Sequence, residues 1–156
     1  VRIGQGIDVH PFSEDPHRPL VLGGIEIEGA RGLGGHSDAD AVCHALADAV
    51  LGALGLGDLG RHFPDTDPVW EGADSVALLT EVVRMAAREE YICANADCTI
   101  IADTPRLAPH TSAMSELLSA VLGAPVSVKA TRAEGLGALG RAEGIACLAV
   151  VLMEPA

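Results

Sequence analysis

The sequence predicts one α/β domain of roughly four strands and three helices, and three observations carry that prediction. Segments rich in β-branched residues alternate along the chain with longer apolar-periodic segments, the pattern of strands interleaved with helices. Hydrophobic residues make up 49% of the 156 residues but aromatics only 3%, so the core must be built from Ala, Val, Leu and Ile. So many small apolar side chains imply tight helix–sheet packing, a large subunit interface, or both. No repeat or low-complexity tract divides the chain, which reads as a single domain over 1–156.

The elements follow in order. Residues 1–10 form the first strand, with Ile3, Ile7 and Val9 supplying its β-branched character. Residues 11–19 are polar and turn-rich, and 20–27 read as a short strand or hairpin around Gly23-Gly24. Four glycines at positions 29, 32, 34 and 35 lead into His36-Ser37-Asp38-Ala39-Asp40. Ser37 or Asp38 is expected to cap the first helix, which runs from Ala41 to about Leu54. Residues 55–68, rich in Gly, Asp and Pro, read as a long irregular loop, a kind that is usually functional in compact domains. The second helix is expected over 73–90, with Asp74 or Ser75 near its start and Val76, Leu79, Val83 and Ala86 as its apolar stripe. Residues 91–102 should be a strand and 105–122 mostly helix, with Pro109 in its first turns. Strands over 126–131 and 145–153 complete the sheet.

Charge narrows the function. A formal net charge of −12 argues against nucleic acid and anionic membrane as partners, because phosphate recognition begins with a basic field. A phosphate substrate would need metal ions, backbone N–H groups and a few placed cations. Cys43, Cys93, Cys98 and Cys147 form no C-x-x-C and read as buried reduced thiols. With no apolar run approaching a membrane span and no signal-type start, the expectation is a soluble, cytoplasmic chain. G-x-G-x-x-G matches at Gly55/Gly57/Gly60 and Gly135/Gly137/Gly140, but neither lies in the strand–turn–helix unit a dinucleotide needs, and both read as tight loops. Walker A and G-x-S-x-G sequences are absent.

The chemistry concentrates elsewhere. Asp8 and His10 lie two apart on the first strand and share a face, and His44 sits on the first helix. One carboxylate and two imidazoles converging from a strand and a helix make a three-ligand set of the kind catalytic zinc uses, with a fourth position left open. Asp40, His44 and Asp48 share a helix face, so either carboxylate can orient His44, although capping and solvation explain both almost as well. His36 precedes the helix start, where the dipole favours anions. Asp58, Asp65 and Asp67 belong to a loop between prolines, read either as turn chemistry or as recognition of a polyol or metal. Lys129, Thr131, Arg132 and Glu134 leave a strand for a Gly-rich loop, with Arg141 following, a candidate phosphate cradle in which Glu134 can hold a dication. His17, His62 and His110 have no evident partners.

These motifs taken together, Gly6-Ile7-Asp8-Val9-His10-Pro11-Phe12, His36-Ser37-Asp38-Ala39-Asp40 with His44, Gly57-Asp58-Leu59-Gly60, Phe63-Pro64-Asp65-Thr66-Asp67-Pro68 and Gly140-Arg141-Ala142-Glu143-Gly144-Ile145-Ala146, resemble the 2-C-methyl-D-erythritol 2,4-cyclodiphosphate synthases. The resemblance covers essentially the whole chain, in order. It implies a two-layer subunit, an about four-stranded mixed sheet with three helices on one face. The sheets of a homotrimer would pack around a threefold axis, with active sites between subunits.

Further implications are chemical. The family's reaction is the cyclisation of 4-CDP-2-C-methyl-D-erythritol 2-phosphate with release of CMP, a step of non-mevalonate isoprenoid biosynthesis. The resemblance puts zinc on Asp8, His10 and His44, and magnesium or manganese on Glu134. It gives catalytic roles to His36, Thr131 and Arg132. Substrate contacts fall on Ser37, Asp58, Leu59, Gly60, Phe63, Pro64, Asp65, Thr66 and Asp67. Cytosine and ribose fall to Ala102, Asp103, Thr104, Pro105, Arg106, Leu107 and Ala108 of the adjacent subunit, with Ala133 and Arg141 completing the set. A prenyl diphosphate in a cavity on the trimer axis is a further implied partner, with Arg141 at its mouth. One position departs: the family carries Thr-Thr where this chain has Thr131-Arg132, and arginine is no conservative stand-in for a hydroxyl. Two rival readings stand beside this one. The first is a zinc hydrolase with Asp65 or Asp67 as general base, and the second is a trimeric binding module.

Overall fold

The first and last strands of the chain lie side by side, the first at an edge of the main sheet. A computed structural model describes residues 1–156. Strands β1 (Arg2–Pro11), β4 (Tyr91–Ile101), β5 (Val126–Thr131) and β6 (Gly144–Pro155) form one sheet in the order β1-β6-β4-β5. The β1–β6 and β6–β4 pairs are antiparallel and β4–β5 is parallel, so the sheet is mixed. Helix α4 (Thr111–Leu122) provides the crossover that a parallel pair needs. Strands β2 (Leu20–Leu22) and β3 (Ile25–Ile27) make a separate hairpin. Its two-residue turn has φ of 56° at Gly23 and 75° at Gly24, positive at both central positions as a type I′ turn requires.

Helices α1 (Ala41–Leu54), α3 (Ser75–Arg88) and α4 cover one face of the sheet. Along each strand the residues of one parity are buried beneath them: Gly4 and Gly6, Cys98 and Ile100, Val126 and Val128, Cys147, Ala149 and Val151. Helix α1 is apolar nearly all round, as a helix enclosed by its neighbours should be. It lies between β1, β6 and α3. A Cβ on Gly4 would come within 1.8 Å of the Ala49 carbonyl oxygen, and one on Gly6 within 1.9 Å of the Ala45 oxygen. Strand and helix therefore touch backbone to backbone, with Ala41, Ala45, Ala49 and Ala53 along one helix face. This contact uses part of the small-residue surplus. The opposite sheet face is uncovered in the subunit, with Ile3 73%, Ile7 55% and Val9 58% exposed on β1 and Val150 45% exposed on β6.

Four expectations about element bounds are corrected. Asp40, rather than Ser37 or Asp38, caps α1 by accepting from Val42 and Cys43 N–H. Its carboxylate also accepts from Gly23 N–H at 2.8 Å and Gly24 N–H at 2.7 Å, tying the hairpin to the helix start. The third long helix begins at Thr111, because two X-Pro steps, Thr104-Pro105 and Ala108-Pro109, bias the preceding residues away from helical conformation. The loop over 55–68 holds a helical turn, α2 (Leu59–His62), capped by Asp58, and a 3-10 turn Pro68–Trp70 follows, capped by Asp67. Helix α3 is shorter than the expected 73–90 and is capped by Asp74. A last helical turn, α5 (Gly137–Gly140), precedes β6. All four cysteines are buried and free.

Gly6→Ala should destabilise the fold by about 3 kcal/mol, at the upper end for overpacking, because the clash is with backbone that cannot swing away. Urea titration of the purified variant reads this directly, and an unchanged midpoint would refute the backbone contact.

Candidate active site

β1 carries Asp8 and His10 on the same face as Gly4 and Gly6, one step beyond the point where the helix presses on the strand. His44 stands in the first turn of α1. Asp8 Oδ2 lies 2.7 Å from His10 Nε2 and 3.1 Å from His44 Nδ1, and the two nitrogens are 3.3 Å apart. Tetrahedral zinc with bonds of about 2.0–2.1 Å separates its ligand atoms by about 3.3 Å, so the triangle has the size one dication spans. The three residues form the one group of metal-type side chains close enough for shared coordination. His10 Nδ1 donates to the Gly34 carbonyl at 2.8 Å, which leaves Nε2 as the ligand atom.

Electrostatics of the metal-free set follow from this closeness. Burial alone would raise the Asp8 carboxyl, but hydrogen bonds and charge from His10 and His44 outweigh it and hold the group well below the ordinary carboxylate range. Burial would likewise lower His10, and the bond to Asp8 overrides it, raising the imidazole above its usual 6.5.

A cleft of about 450 Å³ opens beside the triad and is lined by His36, Ser37, Leu59, Gly60, Phe63 and Asp65 among the expected residues. Asp58, Pro64, Thr66 and Asp67 do not line it. Asp58 and Asp67 spend their side chains as caps, bonding Arg61 N–H at 2.9 Å and Val69 N–H at 3.0 Å. His36 Nε2 donates to the Asp67 carbonyl at 3.3 Å, which ties the imidazole to this loop. Neither carboxylate expected to orient His44 does so. Asp40 is occupied as described, and Asp48 accepts from Leu59 N–H at 2.7 Å.

A second cleft, of about 340 Å³, is lined by Ala102, Asp103, Pro105, Arg106, Leu107, Ala108, Ala130, Thr131 and Arg132. Thr104, Ala133 and Glu134 are not among its walls. The proposed cradle of cations is not assembled. Lys129 Nζ meets Asp97 at 2.6 Å on the uncovered sheet face, Arg141 meets Glu143 at 2.7 Å, and Arg132 meets Asp103 at 3.3 Å.

The model of the YgbB family matches residues 1–154. The chain belongs to this family. The 2-C-methyl-D-erythritol 2,4-cyclodiphosphate synthase of Geobacillus thermodenitrificans is 53% identical over 98% of this chain and 96% of its own length. A solved 2C-methyl-D-erythritol-2,4-cyclodiphosphate synthase in a CDP-bound form is 38% identical, with a TM-score of 0.88 over 98% of this chain and 100% of that one. The bifunctional IspDF of Campylobacter jejuni superposes with a TM-score of 0.94 at 39% identity over 99% of this chain, which spans 42% of that longer protein.

Several side chains around the family's cleft escaped the sequence reading. Trp70 packs edge-on against Phe63 with ring centroids 5.0 Å apart and lines the cleft. Being the chain's one tryptophan in an aromatic-poor sequence was the available signal. Arg18 reaches the Ser37 carbonyl from the turn-rich segment before β2, and nothing in that segment announced it. Ser75, taken as a helix start, lies against His44.

A dication must displace the proton that His10 carries at low pH. Affinity for a divalent cation should therefore fall by at least about tenfold per pH unit once pH drops below the raised His10 value. Competition with a chromogenic chelator from about pH 8 down to about pH 5 measures this. A flat profile would remove His10 from the ligand set.

Proposed function

We propose that this chain catalyses the metal-dependent cyclisation of 4-CDP-2-C-methyl-D-erythritol 2-phosphate to 2-C-methyl-D-erythritol 2,4-cyclodiphosphate with release of CMP. It is a phosphorus–oxygen lyase of non-mevalonate isoprenoid precursor biosynthesis. The observation that carries the reading is the Asp8–His10–His44 triangle, open to a cleft, in a chain that matches these synthases end to end. One domain over 1–156 performs the reaction.

An oxygen of the 2-phosphate forms a bond to the β-phosphorus, and the bond from that phosphorus to the α-phosphate bridging oxygen breaks. CMP leaves with the electron pair, and no water is consumed. Closing a medium ring chiefly requires two phosphates held together with their repulsion neutralised, which is positioning and electrostatic work. Asp8, His10 and His44 hold zinc, a dication suited to two imidazoles and a carboxylate, which when bound supplies a Lewis acid to a phosphate oxygen. Glu134, exposed in the turn after β5, holds magnesium or manganese, ions that commonly take one or two carboxylates and complete their shell with phosphate and water. His36 and the Thr131 turn hold phosphate oxygens, Asp65 and Gly60 face the erythritol hydroxyls, and the 102–108 segment takes the nucleoside.

Topology supports a site shared between copies of the chain. Both clefts lie at one end of the sheet, the triad on edge strand β1 and the nucleoside cleft on edge strand β5. Three strand spacings, about 14 Å, separate those edges. A homotrimer that buries the uncovered apolar face of β1 and β6 brings one subunit's β1 edge toward its neighbour's β5 edge. A central cavity for a prenyl diphosphate, with Arg141 near it, belongs to the same assembly. Four free cysteines and the lack of any helix long and apolar enough to cross a membrane fit a cytoplasmic setting.

Arg132 pairs with Asp103, whose carboxylate raises the guanidinium's hold on its proton. Thr131 and backbone N–H groups are then left to meet the phosphate. Arg132→Thr should keep kcat within about fivefold, the scale of an exposed ion pair. A hundredfold loss in steady-state assays would instead assign the guanidinium to the reacting phosphates.

Incubation of the purified protein with the CDP ester in oxygen-18 water should yield CMP and unlabelled cyclic product. Label in a product phosphate would mark a hydrolase, with Asp65 the cleft's available base. His44→Ala should lose zinc and turnover by more than about 100-fold while keeping its fold, since one of three ligands is gone. Full zinc occupancy in that variant, read by metal mass spectrometry, would sink the ligand assignment.

A further inference from the structure

A group of polar side chains stands behind His44, on the side away from Asp8, and of its members only Ser37 has been given a role above. His44 Nε2 lies 2.9 Å from Ser75 Oγ and 3.1 Å from Ser37 Oγ. Ser75 is the first residue of α3 and is 1% exposed. Its hydroxyl also meets Oδ1 of Asp38, and its backbone N–H donates to Oδ2 of Asp38 at 3.1 Å. Asp38 N–H in turn donates to the Ala73 carbonyl at 3.1 Å. Asp38 and the start of α3 thus hold each other from both sides.

Counting protons fixes the direction of this chain. A carboxylate only accepts, so the one hydroxyl proton of Ser75 goes to Asp38. The Ser75 oxygen then presents lone pairs to His44, and Nε2 must bring the proton. A neutral imidazole protonated at Nε2 carries its lone pair on Nδ1, the nitrogen facing Asp8 and His10. We propose that Asp38, acting through Ser75, is a positioning device that selects the His44 tautomer and aims Nδ1 at the metal. The inference rests on the zinc reading above and deepens it.

The same logic operates on His10 in simpler form, since the Gly34 carbonyl behind it can only accept. Each imidazole is therefore backed by an acceptor, one supplied by backbone and the other by a carboxylate relayed through a hydroxyl. Such partners fix ring orientation and raise ligand basicity. Ser37 cannot replace Ser75. Its oxygen accepts Ala39 N–H at 3.1 Å, and its own proton has no carboxylate to fix its direction, only the Ser75 oxygen at 3.4 Å. The acidic residue two before the α1 cap thereby acquires a task distinct from capping.

Zinc-loaded protein labelled with nitrogen-15 histidine tests the device. The imidazole N–H resonances of the wild type that are protected from solvent exchange should include both His10 Nδ1–H and His44 Nε2–H. Ser75→Ala should abolish protection of the second while retaining the first, a change that general loosening would not produce. The same variant, and Asp38→Asn, should weaken zinc by about 10–100-fold in chelator competition. An unprotected His44 Nε2–H in the wild type overturns the proposal without any variant. So does a Ser75→Ala protein whose zinc affinity stays within about twofold of wild type, well short of the usual cost of losing such a partner. Wild-type protein that takes up no zinc sinks the metal reading as well, whereas normal uptake with an unprotected Nε2–H sinks the relay alone.

Discussion

Backbone contact between β1 and α1 is the constraint on which the site depends. Gly4 and Gly6 let the strand lie against the carbonyls of Ala49 and Ala45, closer than any side chain would permit. The same strand face then reaches Asp8 and His10, where side chains project into the space the glycines closed lower down. On the helix, Ala45 and Ala49 make the contact while His44 and Asp48, one residue back from each, look toward the cleft. A strand held at ordinary helix–sheet distance would leave the imidazole of His44 out of reach of a ligand on β1. The economy of small residues in this chain thus shapes the candidate metal site, since it sets the separations of 2.7 to 3.3 Å among Asp8, His10 and His44.

Much of this was legible in the sequence because it depends on local period. Alternation places Asp8 and His10 on one face, and an apolar run of helical length makes the body of α1 (Ala41–Leu54) readable, though not its cap. Strand β5 (Val126–Thr131) was equally clear between its turn signals. What escaped depends on contacts distant in sequence. Asp40 outcompetes Ser37 and Asp38 as the α1 cap because it simultaneously satisfies Gly23 and Gly24 N–H, a demand arising 16 and 17 residues away. Ser75 reaches His44 across 31 residues, and Lys129 is taken by Asp97 across a parallel strand pair. Periodicity carries no record of such partners. Asp58 and Asp67 show the reverse case, in which the plain reading as turn and cap residues describes their side chains.

The five residues from His36 to Asp40 compress three functions into one turn. His36 faces the cleft, Asp38 turns back to the start of α3, and Asp40 turns inward to the hairpin and its own helix. Burial pushes the Asp40 carboxyl upward while four N–H donors pull against it, so its charge is spent on holding backbone. Because α3 is pinned to Asp38 and the 3-10 turn to His36, the loop carrying Phe63, Asp65 and Trp70 is anchored to the same turn that flanks the Asp8–His10–His44 group. Cleft shape and ligand geometry are therefore set by one short segment.

Electrostatics explains why two imidazoles and one carboxylate would suit a metal at this candidate site. A substrate with three phosphates must enter a chain of net charge −12 and a cleft that includes Asp8, Asp48 and Asp65. The cations near the sheet's end give little help, since Arg132 and Arg141 each already face a carboxylate. At an effective dielectric near 20, opposite unit charges about 4 Å apart attract by about 4 kcal/mol, so the sign of the residual charge at the metal decides whether phosphate is drawn in or repelled. Three carboxylates around a dication would leave a net negative centre. Neutral His10 and His44 with Asp8 leave a positive one, and they do so only while the imidazoles present lone pairs rather than protons. The acceptors behind the two rings therefore serve phosphate binding as much as metal binding, because they keep the imidazoles in the state that lets the metal's charge reach the substrate.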